Sequence, residues 1–94
     1  MRIIWSRRAL RHLRHLRDYI AQDNPDAAVG VAERILAGVE LLAEHPNLGR
    51  PGRVPGTREL VVPATPYVIP YRVRAARLEL IAVFHGRQKW PGCL

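Results

Sequence analysis

Apolar positions recur with a helical period in the first half of the chain and with a strand period in the second. After a short apolar run at Ile3–Trp5, residues Ala9, Leu13, Leu16 and Ile20 fall at i, i+4, i+7 and i+11, with Leu10 and Tyr19 widening the stripe. This predicts a short strand followed by an amphipathic helix with one face in the core, and Ser6 is placed to cap it. Arg7, Arg11, Arg14 and Asp18 repeat the spacing on the opposite, solvent face. Asn24-Pro25 ends this helix and starts another: Asn caps an N-terminus, Pro fits the first helical position where no N–H is needed, and Asp26 complements the dipole. Ala28, Val31, Ile35, Val39 and Leu42 then form a second stripe that runs to His45-Pro46. Two helices joined this tightly pack as an antiparallel hairpin.

Three Pro and three Gly among the residues 46–56 exclude a regular element there and predict an ordered surface loop. Thr57–Val62, Tyr67–Val73 and Leu78–His85 then predict three strands joined by short turns as an antiparallel meander. In the last strand Leu78, Leu80, Ala82 and Phe84 share one face, and Glu79, Ile81, Val83, His85 and Arg87 the other. If the Leu/Phe face packs on the helices, His85 and Arg87 point to the open side. Tyr67 and Tyr71 share a face and are read as packing residues. Pro70 lacks an N–H, which predicts a lost ladder bond or a bulge. The apolar stripes and strands need each other as layers. The expectation is one α+β domain over residues 1–94, an N-terminal strand and an antiparallel helical hairpin packed on a small, mainly antiparallel sheet.

Charge sharpens this picture because the net +7 is segregated. Residues 1–17 carry six Arg and no acid, residues 18–44 carry six acids against Arg34, and residues 45–94 carry eight basic residues against Glu59 and Glu79. Nearly all the cations are Arg, the side chain suited to bidentate pairing with phosphate or carboxylate, although Arg richness also follows from a GC-rich genome. No apolar run approaches a membrane span or a signal-peptide core, so a cytoplasmic protein with no membrane contact is expected. The lone Cys93 has no internal partner and agrees with a reducing compartment.

Candidate chemistry gathers in the second half. His85 carries an imidazole, the side chain type suited to proton transfer, and is either a general acid–base or a strand-end residue bonded locally. Arg87 follows Gly86 and holds an anion or is simply solvated. Arg50, Arg53 and Arg58 flank the Gly/Pro loop, whose N–H groups also suit anions; they contact a target or pair with Glu59 or the acidic second helix. Trp5 and Trp90 are read as hydrophobic anchors, with a bound partner as the other use. Glu33, Glu40 and Glu44 are read as a solvated helix face. His12 and His15 stand three apart with no acidic or Cys partner, so no metal site and no cofactor is expected.

Several phrases resemble the RelE/ParE superfamily of bacterial toxins from type II toxin–antitoxin modules. They are Asp18-Tyr19-Ile20 with Asn24-Pro25, Leu42 and His45-Pro46 leading to Leu48-Gly49-Arg50, Thr57-Arg58-Glu59-Leu60, Tyr71-Arg72-Val73, and Val83 with His85-Gly86-Arg87. The resemblance spans the chain and implies a growth-inhibiting toxin neutralised by a small antitoxin whose acidic C-terminal segment folds across apolar and arginine-rich surfaces, with operator DNA reached only through that antitoxin. Arg50, Arg53, Arg58, Arg72, Arg87, Lys89 and Trp90 are the implied target- or antitoxin-binding residues. The long hairpin and the Pro-x-Leu-Gly-Arg exit look more like the ParE side, which implies poisoning of DNA gyrase through protein contacts. The alternative is similarity to RelE, a ribosome-dependent, metal-independent mRNA endonuclease, which would use His85, Arg87, Arg72 and Arg58. The terminal Tyr of that mechanism is absent, since Trp90 and Pro91 occupy its place. A third reading is a degenerate module that binds only antitoxin and operator.

Overall fold

The computed structural model describes residues 1–92 and 94; Cys93 and the expectation attached to it lie outside the described residues. Strand β1 (Arg2–Trp5) leads into helices α1 (Arg7–Asp23) and α2 (Pro25–Glu44), and then into β2 (Arg50–Pro51), β3 (Arg58–Val61), β4 (Tyr67–Arg74), β5 (Arg77–Leu80) and β6 (Phe84–His85). The caps fall as the sequence predicts. The Ala9 N–H donates to Ser6 Oγ at 3.0 Å and the Ala27 N–H to Asn24 Oδ1 at 3.1 Å, each satisfying a first-turn donor that the helix cannot. Among the described residues no helix is long and apolar enough to cross a membrane.

The sheet order is β1-β5-β4-β3-β2, with β6 also on β4, and among the described residues only the β1–β5 pair is parallel. One face carries the core. Ile35, Leu42, Ile69, Tyr71, Leu78 and Leu80 are fully buried there between hairpin and sheet. The helical stripes are narrower than expected, because Leu10 and Tyr19 stay exposed. The loop expected to lack regular structure contributes β2, in which Arg50 and Pro51 pair with Glu59 and Arg58. The Ala75-Ala76 turn between β4 and β5 has φ of 50° and 60°, the left-handed region that suits a tight hairpin.

The largest departure concerns the last expected strand, which is two. Between the pairs Tyr71↔Leu80 and Val68↔Phe84 lie two residues on β4 but three, Ile81–Val83, on the other side. That extra residue is a bulge, and Pro70 is its cause. The Pro70 carbonyl accepts the Ile81 N–H at 2.9 Å, so the edge on which Pro lacks a donor faces β5–β6, and there the ladder breaks. Pairing of β4 with β3 runs past Pro70 undisturbed. The bulge is pinned by α1: the Ser6 hydroxyl donates to Ile81 O at 2.9 Å, and the Val83 N–H donates to His12 Nδ1 at 3.1 Å.

Candidate functional site

A bulge of one residue exchanges the faces of everything after it. Val83 therefore joins the core, and His85, paired with Tyr67, lies on the helix side. The expectation that Val83 and His85 share an open face opposite the helices is thus corrected. Phe84, paired with Val68, has its ring between those of His12 on α1 and Trp90, with centroids 5.4 and 4.7 Å away.

His85 lines a cavity of about 570 Å³ beside α1, together with Arg11, His12, His15, Tyr67 and Gln88. Its ring meets Tyr67 edge-on at 5.7 Å. The Arg87 N–H donates to His85 Nδ1 at 3.1 Å, and the His85 N–H donates to Gln88 Oε1 at 2.8 Å. Both His12 and His85 therefore use Nδ1 to accept a backbone N–H. In a neutral ring in that state the remaining polar group, Nε2, is a donor. Burial first, then the Arg11 and Arg8 guanidiniums, hold His12 below its ordinary value.

The arginines named from the sequence are elsewhere and mostly committed. Glu59, only 2% exposed, takes Arg50 Nε and Nη2 on one oxygen at 3.1 and 3.0 Å, and the Arg53 N–H and Nε on the other at 2.9 and 3.4 Å. This buried charge is satisfied on all sides, as a buried carboxylate must be. Arg53 also lies over the Trp90 ring at 3.7 Å, which fixes Trp90 against the outer face of the sheet. Arg72 and Arg74 hold Glu79 at 2.9 and 3.1 Å. The Arg72 hydrogen bond first, with the Arg74 charge behind it, keeps that carboxyl below the usual carboxylate range. Arg58 donates to Gly49 O at 2.8 Å. Arg87 and Lys89 are exposed at the C-terminal end. Arg72 lies five residues along β4 from Tyr67, the partner of His85, a separation of about 17 Å at strand rise, and on the other face. His85, Arg58, Arg72 and Arg87 do not form one cluster.

The structure instead adds a mainly apolar groove of about 720 Å³ between α2 and β3, lined by Ala37, Gly38, Leu41, Leu48, Leu60 and Val61 together with Arg34, Arg50 and the Glu59 that Arg50 holds. Leu41, Leu48 and Val61 are each close to half exposed. Pro70 bonds away from β3, so along β3 the groups of Thr57, Glu59 and Val61 face the outer edge. The loop at Gly52 and Val54 takes up Thr57, β2 covers Glu59, and Val61 is left open. The loop that forms the groove's wall is held by Tyr71. Its hydroxyl donates to Pro46 O and accepts the Gly49 N–H, both at 2.8 Å. Burial pushes the Tyr71 phenol up, against the Gly49 N–H bond and the Arg58 charge, which pull it down. Gly49 has no room for a side chain, since a Cβ would stand 2.6 Å from the Tyr71 ring. The sequence carried one hint of this groove: Leu41 and Leu48 are large apolar residues outside both helical stripes.

Residues 3–90 match the family described as the ParE toxin of the type II toxin–antitoxin system parDE. Y4kP of Sinorhizobium fredii, assigned as a toxin, is 50% identical over 93 residues, which are 99% of this chain and 96% of that one. Toxin RelE2 of Caulobacter vibrioides is 39% identical over 84 residues, 89% of this chain and 93% of the relative. Among solved structures, a chain of the chromosomal ParDE system of P. aeruginosa superposes with a TM-score of 0.82 at 26% identity, over 90% of this chain and 95% of that one.

Proposed function

The chain belongs to the ParE toxin family of type II toxin–antitoxin systems, and from that premise we propose that it arrests growth by binding DNA gyrase rather than by cutting RNA. The observation that carries this reading is the dispersal of the candidate nuclease residues. His85 uses Nδ1 on the Arg87 N–H, and Arg72 is engaged with Glu79 on the other face. Ribonucleolytic cleavage needs a base and cations at one phosphate, and no such grouping forms among the four residues named for it. Protein-directed inhibition needs only a presented surface, which Arg87 and Lys89 at the exposed C-terminal end offer.

The cognate antitoxin docks in the α2–β3 groove. An extended segment adds one backbone pairing at Val61, seats apolar side chains on Leu41 and Leu48, and sets its acidic residues against Arg34 and Arg50. The complex forms in the cytoplasm, and operator DNA is reached through the antitoxin.

Induction without antitoxin tests the target. Gyrase-linked DNA breaks with an SOS response, unchanged by His85→Ala, are expected, along with inhibition of purified gyrase. Ribosome-dependent mRNA cuts that vanish in His85→Ala would replace this reading with the RelE-like one.

A further inference from the structure

We propose that the cavity between α1 and β6 is a binding site for a phosphate ester carried on a planar ring, of the size of a nucleoside monophosphate. The site is separate from the antitoxin groove and does not depend on which target the toxin poisons. Its chemistry follows from which groups converge and how each is already used. Arg11 reaches the cavity from the solvent face of α1 and, among the described residues, forms no ion pair. The Nδ1 atoms of His12 and His85 each accept a backbone N–H, leaving Nε2–H as the free donor of the neutral ring. The Gln88 Oε1 is taken by the His85 N–H, so its NH₂ is the free half of that amide. Tyr67 and His15 complete the polar lining, and no carboxylate is part of it.

A cavity furnished with a guanidinium, two fixed imidazole N–H groups and an amide donor selects an acceptor-only anion. The field around it has the same sign, since residues 1–17 carry six Arg and no acid. A phosphate rather than a carboxylate fits the number of donors, because its oxygens accept more bonds than two carboxylate oxygens. The volume of about 570 Å³ is far larger than a bare anion and lies in the range of small-molecule sites. Tyr67 and His85, with exposed Tyr19 at the rim, provide aromatic surface for the rest of the ligand.

The test is titration of the intact protein with adenosine 5′-monophosphate, adenosine and inorganic phosphate, read by the imidazole resonances of His12 and His85 and by the thermal midpoint. Saturable shifts of both imidazoles with the monophosphate, at least about tenfold tighter than adenosine, are expected, with a raised midpoint by linkage. Arg11→Gln is expected to weaken binding by about tenfold or more, and Arg77→Gln, on distant β5, to leave it unchanged. Arg11 is exposed and unpaired, so its variant keeps the fold, and an unaltered midpoint without ligand verifies this. The proposal is overturned if no saturable shift occurs up to about 10 mM, if adenosine binds as well as the monophosphate, or if Arg11→Gln binds equally well. It is likewise overturned if a hexaglutamate peptide moves the same resonances and the monophosphate does not.

Discussion

The two helices each border a cleft, and the clefts differ in almost every respect. The one beside α1 is walled by imidazoles, a guanidinium and an amide along with Leu16, Val83, Tyr19 and Tyr67, and His12, His85 and Gln88 each hold a backbone N–H there. The one beside α2 is walled mainly by leucines, valine and glycine, with Arg34, Arg50 and Glu59 among its lining, and ends on an open strand edge. Fixed donors select a ligand by charge and geometry; an apolar trough with one open backbone position selects a polypeptide. The difference arises from the sheet. On the β6 side a bulge at Pro70 turns polar residues toward the helix, whereas on the β3 side the ladder is regular and simply stops.

Substitutions that affect one cleft and spare the other test that contrast. The largest effect is expected from Gly49→Ala, whose Cβ would meet the Tyr71 ring and hydroxyl at 2.6 Å and Glu59 O at 2.9 Å. It should cost about 3 kcal/mol in urea unfolding and loosen the groove wall. Next comes Val61→Lys, which places a charge beside the open edge at a half-exposed position. Antitoxin affinity should fall about thirtyfold by calorimetry, roughly 2 kcal/mol, with the thermal midpoint and the imidazole resonances of His12 and His85 unmoved. Tyr71→Phe deletes the hydroxyl that holds Pro46 O and the Gly49 N–H. A loss of about 1.5 kcal/mol in chemical unfolding is expected, since both backbone groups lose their partner.

The smallest effect concerns the α1 cleft and is a slope with pH. His12 is held below its ordinary value of 6.5 by burial and by Arg11 and Arg8, with His15 adding to this on the same helix. His85 and Tyr67 face it across the cavity. The unfolded chain therefore binds this proton more readily than the folded one. Stability associated with His12 is full above about pH 6.5 and declines as pH falls through the lower folded value. His12→Asn keeps an acceptor for the Val83 N–H and removes the titration, so its stability should be flatter between about pH 7 and 5. An equal slope in both proteins would assign the titration to another group.

The helical hairpin was legible because its signals are local: Ser6, Asn24-Pro25 and two stripes specify caps, junction and buried face without reference to the rest of the chain. The last strand was not, although Pro70 announced a disturbance. From Leu78 to Phe84 every residue but Glu79 is apolar, so alternation cannot tell which face is core once a residue is inserted. The position of His85 depends on that single count. The arginines were legible as cations, and pairing with Glu59 stood as one alternative for Arg50 and Arg53, which the structure takes; the pairing of Arg72 and Arg74 with Glu79 was not legible. Glu59 and Glu79 are the only acids after residue 45, yet which guanidiniums reach them depends on strand register. The packing role expected of Tyr71 holds for its ring; its grip on residues 46 and 49 spans a sequence distance no local pattern encodes.

The open stretch of β3 is one rung long. Before it, Glu59 is paired with Arg50, and after it comes Pro63, which has no N–H to offer. A ladder grows between identical chains only where several consecutive rungs are vacant, so this edge is a poor template for copies of itself. A chain that also brings side chains for the trough obtains one rung together with the apolar contacts. Partner choice is thus set partly by subtraction: the sheet withholds the repetitive pairing that any strand could use and leaves a single position whose value depends on what else the visitor carries.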